Sequence, residues 1–277
     1  MGMLGAVLFL FAQATPALGS ETTVVPPHQR FERHYDALLK SYWRSSVTIH
    51  GVTTTVFDYA AMANDARAAD SLFTQATSAL EAGNPSELTD PDEAKAFWIN
   101  AYNFGAMRLI VDHYPVDSIT SFKISLVKYS GGKRPVLIQG RRYSLREIEK
   151  DILIPRYHDV RILFAVSCAA VSCPDRTPEA FTGSRIDRQL DDIVRTFLAN
   201  PTKGAHLDKA TNTLTLSWIF SKDGELFTVL GHGVLAFVLP YLAPDERQWL
   251  SEHTVEFRYM EHDWTLNDLA QVAGGRQ

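Results

Sequence analysis

Between residues 30 and 43, apolar side chains fall at Phe31, Tyr35, Leu38, Leu39 and Tyr42. Spacings of three and four put them on one face, which predicts an amphipathic helix. Residues 47–49 and 52–57 are short and β-branched, with His50-Gly51 between them, and predict two strands around a turn. Residues 59–82 are alanine-rich and lack Gly and Pro, so a single helix is expected there, stopped by Gly83-Asn84-Pro85. Asp90, Pro91 and Glu93 make a capping-box start for a helix running to about Asp112. Val136-Leu137-Ile138 and residues 141–143, around Gln139-Gly140, predict a hairpin. Ser144 and Glu147 form a second capping box that opens a helix to about Leu153. Residues 161–166 have the length and hydrophobicity of a core strand. Ile186, Leu190, Ile193, Val194, Phe197 and Leu198 mark a helical stripe within 184–200. Leu214, Leu216 and Trp218 alternate as one face of a strand, residues 229–242 read as a core helix preceded by a glycine turn, 244–253 as a helix and 254–260 as a strand. No repeat or linker divides the chain. The expectation is one α+β domain over residues 25–268, with several helices packed on short, mainly antiparallel strands, and a frayed tail over 269–277.

Composition changes this picture little. The chain has 277 residues, of which 45% are hydrophobic and 21% charged, enough to bury a core without staples. A formal net charge of -5 supplies no basic field, so nucleic acid is not an expected partner. The first twenty residues carry no charged side chain, and an apolar run over 4–11 precedes Pro16-Ala17-Leu18-Gly19. This reads as a secretory signal over 1–20, cleaved near Ser20 or Glu21, although no Lys or Arg precedes the run; a buried N-terminal helix is the alternative. Elsewhere no apolar stretch reaches the roughly 18 residues of a membrane span. A periplasmic or secreted chain is therefore expected, without a span once the signal is removed.

The chemistry concentrates on the two cysteines, Cys168 and Cys173, in Ser167-Cys168-Ala169-Ala170-Val171-Ser172-Cys173-Pro174. Three readings stay open: a local disulfide, as export and an even count suggest; a catalytic thiolate at Cys168, which needs a His, a helix N-terminus or a cation to lower its pKa; or two inert buried thiols. Four zinc ligands at recognisable spacing are lacking, so no metal and no cofactor is expected. His113, His158, His232, His253 and His262 could each pair with a thiol in space, and no motif selects one. Asn100 and Asn103 share a helix face among large apolar residues that include Trp98. Their amides must either tie the helix to neighbouring backbone or orient a catalytic group. Ser167, Ser172 and Arg176 flank the cysteines as cleft candidates. Asp175 and Arg176 are expected to pair locally, and Trp264 to anchor the core.

Taken together, Phe57-Asp58-Tyr59, the run from Phe97 to Asn103, Ser144 with Leu145, Ile148 and Glu149, the run from Phe164 to Ala169 with Ser172-Cys173-Pro174, Ala180-Phe181-Thr182, Leu190-Asp191, Phe197-Leu198 and the run from Asp263 to Asn267 resemble the domain-of-unknown-function family 547. The ordered match spans roughly 45 to 268. It implies a single domain whose most characteristic point is the Cys168 segment, and it defines no activity. Members often carry His two residues after the counterpart of Arg161; this chain has Leu163 there.

Two functions remain. One is a thiol-dependent hydrolase or acyl transferase, with Cys168 as nucleophile, a His as base and Asn100 or Asn103 as orienter. The other is a non-catalytic envelope binding protein with a static Cys168–Cys173 disulfide. In either case the expected ligand is a small molecule or peptide.

Overall fold

The computed structural model describes residues 25–126 and 134–274. The expected signal over 1–20 lies outside the described residues, as do residues 275–277. Helix α1, Pro27–Tyr42, turns directly into strand β1, Trp43–Ile49, which pairs antiparallel with β2, Val52–Phe57. Helices α2, Tyr59–Asp65, and α3, Leu72–Glu81, follow. The single helix expected over 59–82 is thus broken, because Asp58 and Ser71 each accept a backbone N–H and cap a separate start. Phe31, Tyr35, Leu38, Leu39 and Tyr42 on α1 are buried, and α1 lies against α3.

Helix α4, Pro91–His113, starts at Asp90, whose carboxylate accepts from the Asp92 N–H. From Ala94 to Val111 it is buried on nearly every face. A helix apolar all round belongs in the middle of a core, and α4 is the hub on which the other elements pack. A short helix α5, Phe122–Leu126, precedes the hairpin β3, Val136–Ile138, and β4, Arg141–Tyr143, in the expected register. The capping box at Ser144 and Glu147 is complete in both directions. Pro155 then removes a donor, and the ladder widens into π turns over Glu147–Leu153 before α6, Ile154–Tyr157.

Residues 161–166 are not a strand. They form helix α7, Ile162–Ala165, and extend only at Val166. A fully buried apolar run carries no alternation, so periodicity cannot tell strand from helix there. The local polar groups decide. Asp159 accepts from the Arg161 N–H and from its guanidinium, whose other nitrogens reach Asp187 and Asp191 on or beside the next helix at 2.7 Å. That helix, α8, Ile186–Leu198, buries the predicted stripe.

The last sheet holds β5, Ala205–Asp208, antiparallel to β6, Thr213–Leu216; helices α9, Trp218–Lys222, α10, Gly224–Leu230, α11, Val234–Val238, and α12, Pro244–Glu252, come between β6 and β7, Glu256–Tyr259. β7 pairs parallel to β6, so the chain is α+β with one parallel pairing among antiparallel ones. Trp218 leaves the strand register because Ser217 caps α9. Where fraying was expected beyond 268, Leu269–Gly274 form α13, with Leu269 and Val272 packed against Ile49, Val56 and Val171.

Gly204 joins α8 to β5 where no side chain fits: a Cβ there would sit 1.8 Å from the Phe197 carbonyl oxygen. Gly204→Ala should therefore lower stability by about 3 kcal/mol in a denaturant titration. Gly224→Ala, where a Cβ meets nothing within 4 Å, should leave it within about 0.5 kcal/mol. Equal effects would mean that the turn relaxes freely.

Candidate functional site

Val166 leads into the loop that carries the cysteines, and three sets of bonds fix that loop. The first comes from α4. Asn103 donates to the Ala165 carbonyl at 2.8 Å and accepts from the Ser167 N–H at 2.9 Å. Asn100 clamps Phe181 in the same two-way fashion, at 2.8 and 3.0 Å. Both amides thus tie α4 to neighbouring backbone, the structural alternative weighed for them, and neither lines the cavity at the cysteines. Trp98, buried with its ring edge-on to Tyr143, does not line the cavity at the cysteines.

The second set is ionic. Lys203, 2% exposed, sends its ammonium to Asp175 at 2.8 Å, to Thr54 Oγ1 at 3.0 Å, and to the carbonyls of Val171 and Cys173. Asp175 in turn accepts from the Thr55 N–H and from both threonine hydroxyls. Burial pushes the Lys203 pKa down, and the Asp175 carboxylate opposes that. Asp175 therefore pairs with Lys203, not with Arg176. The Arg176 side chain is buried beneath the loop, donating to the Ser167 carbonyl at 2.8 Å and lying over the Phe57 ring. It faces the Asn100 and Asn103 side and does not enter the cysteine cleft.

The third set comes from the end of the chain. Val171 N–H donates to Thr265, Asn267 N–H to Ala169, and Asp263 N–H to Ser172 Oγ at 3.0 Å. Ser167 and Ser172 are both buried. Asn267 also donates to the Thr55 carbonyl. These bonds lay the 263–268 strip across the loop, and they swing His262 and Trp264 over the sulfurs.

Cys168 and Cys173 are joined in a disulfide. Cys173 is 5% exposed and Cys168 is partly exposed. The bridge lies in a cavity of about 190 Å³. His262 Nε2 is 4.0 Å from Cys173 Sγ, and the imidazole is packed between the rings of Trp218 and Trp264. Trp264, expected in the core, is 38% exposed at the mouth. Tyr102, Glu149, Leu163, Lys222 and Asp223 are also in the lining. Glu149 and Asp223 are both held by Lys150, at 3.0 and 2.7 Å. Larger hollows exist, including one of about 390 Å³ along the start of α8, but Arg185–Glu179 and Arg188–Asp192 ion pairs lie along it and no thiol or imidazole lines it.

Burial pushes the His262 pKa down to about 4, with Lys222 acting in the same direction and Asp263 against it. The imidazole is therefore neutral at pH 7. The two sulfurs and Nε2 lie within 4.8 Å of one another, but a bridged pair offers no thiolate to a metal. That Cys168 and Cys173 could bridge was legible from their spacing, and they are joined here. His262, Trp218 and Glu149 come from segments far apart in sequence, and no local signal selected them.

A buried pair broken on one side is costly, typically about 3–5 kcal/mol. Asp175→Ala strands an ammonium among neutral acceptors, whereas Lys203→Met leaves a carboxylate that still accepts three hydrogen bonds. Asp175→Ala should be the more destabilising in chemical denaturation; the reverse order would contradict this account of the loop. His262 predicts a pH effect. Its pKa is lower folded than unfolded, so its neutral form contributes stability that is present above about pH 6.5 and lost as pH falls toward about 4. The melting temperature of His262→Asn should fall less than wild type between pH 7 and pH 4.5.

A family model described as "Protein of unknown function, DUF547" matches residues 85–198, less than half of the chain. The matched stretch carries α4, Glu149 and both cysteines, and it stops before His262 and Trp264. No curated protein and no solved structure matches the chain. Over residues 85–198 the chain is similar to that family, which supports the resemblance seen in its motifs.

Proposed function

We propose that the protein is a ligand-binding module that takes a small molecule or a peptide side chain into the cleft over the Cys168–Cys173 bridge. One observation carries this reading: a disulfide floor is roofed by Trp218, His262 and Trp264 and rimmed by Glu149, Asp223 and Lys222. Aromatic walls with a few polar groups are the usual chemistry of small-ligand sites. At about 190 Å³ the cavity suits a fragment or a single side chain, not a folded partner. An exported location accords with both the leader-like start and the bridge.

The thiol hydrolase or acyl transferase reading stands second. It requires a free Cys168, which is bonded to Cys173 here, and Leu163 occupies the wall position where the resembling family often has His.

A fragment set screened by ligand-observed NMR checks the binding reading. Trp264→Ala should abolish saturation transfer from cleft-directed hits and leave the thermal unfolding midpoint within a few degrees. Hits that are indifferent to Trp264→Ala, together with hydrolysis of an ester substrate that begins on reduction, would favour the enzyme instead. Mass spectrometry of the mature chain tests export, with a start near Ser20 or Glu21 expected.

A further inference from the structure

We propose that the Cys168–Cys173 bridge is an exchange centre, at which a thiol-bearing molecule entering the cleft is oxidised by thiol–disulfide exchange. The inference rests on the cleft being open to ligands and goes beyond binding.

The two sulfurs are not equivalent. Cys168 is partly exposed and faces the cavity; Cys173 is 5% exposed and lies against His262 Nε2 at 4.0 Å. A nucleophile coming from solvent therefore reaches Cys168 first. Attack requires the three sulfurs to lie in line, and Cys173 is the sulfur that would be displaced inward.

The electron and proton balance is as follows. An incoming thiol loses its proton to water, and its thiolate attacks Cys168 Sγ. A bond forms between the two sulfurs, the Cys168–Cys173 bond breaks, and Cys173 leaves as a thiolate. That thiolate takes up a proton in the pocket it shares with His262 and with Lys222, whose charge is felt at the imidazole. A second thiol of the same substrate then attacks its own sulfur in the mixed disulfide and releases Cys168. The dithiol substrate has become a disulfide, and the protein holds two thiols. In the opposite direction Cys173 loses its proton to water, and its thiolate attacks Cys168 Sγ in the mixed disulfide and expels the bound thiol; the neutral, buried ring of His262 packs against that sulfur at 4.0 Å.

The surroundings suit such a centre. The loop is held by Asn103, Lys203 and the 263–268 strip through bonds to its backbone and to Asp175 and Ser172, so it keeps its shape when the sulfur–sulfur bond opens. The aromatic rings at the mouth give a peptide carrying the thiols a surface to lie on.

The test uses the full chain, with reduced glutathione as a monothiol probe and dithiothreitol as a dithiol probe. After brief exposure and acid quench, peptide mapping should find glutathione on Cys168. Dithiothreitol should open the bridge while tryptophan fluorescence keeps its native spectrum. In Cys173→Ser, the free Cys168 should react with an aromatic disulfide at a rate within tenfold of an unstructured cysteine peptide. A bridge that opens only when the protein unfolds, or glutathione found on Cys173, would overturn the proposal. Both outcomes are independent of the fragment screen: an inert bridge in a protein that still binds fragments sinks exchange alone, and exchange without fragment binding sinks the binding module alone.

Discussion

Lys203 holds an ammonium at 2% exposure, and Asp175 is the carboxylate that compensates it. The loop containing the cysteines has almost no regular structure of its own; it is a string of turns between a four-residue helix and a proline. What gives it a single shape is that this ion pair is also bonded to the carbonyls of Val171 and Cys173 and to the threonines of β2. Charge burial makes the arrangement all-or-none, because neither partner tolerates losing the other in a region so depleted of water. The cleft therefore inherits its geometry from an interaction on the opposite side of the loop.

The same economy governs the polar groups of α4. A helix buried on all faces has little room for amides, yet Asn100 and Asn103 sit at 1% and 2% exposure. Each meets a neighbouring segment's N–H and C=O with both ends of its side chain, so the amide that burial would otherwise penalise is partnered at its nitrogen and at its oxygen. The capping boxes, the hairpins and the helical stripes were legible because they depend on residues a few positions apart. The amides were half legible: their spacing announced a shared buried face, but whether they served backbone or chemistry was settled by partners dozens of residues away. Residues 161–166 were misread because burial on every side erases the alternation that distinguishes strand from helix, and the deciding carboxylates, Asp187 and Asp191, lie downstream.

The cleft was legible in its centre and illegible in its walls. Cysteines five apart announce themselves. His262, Trp218 and Glu149 become neighbours only because the 263–268 strip bonds back across the loop, β6 delivers Trp218 to the start of α9, and the π turns after Ser144 present Glu149. None of these placements leaves a periodic trace. The motif around Trp264 was visible and was read as a core anchor, since a tryptophan in a terminal segment has more chances of being buried than of framing a mouth. It caps the imidazole instead, and it stays 38% exposed.

Leu163 and His262 both line the cleft at the cysteines. Leu163, on α7, stands on the side from which the chain runs directly into Cys168. That side is hydrocarbon, and the imidazole comes from His262, against the buried sulfur. Buried, with its pKa pushed down to about 4, it is a weak base toward either sulfur. The exchange proposed above needs no base beside Cys168, because an incoming thiol brings its own nucleophile, whereas acyl transfer needs Cys168 itself as a thiolate.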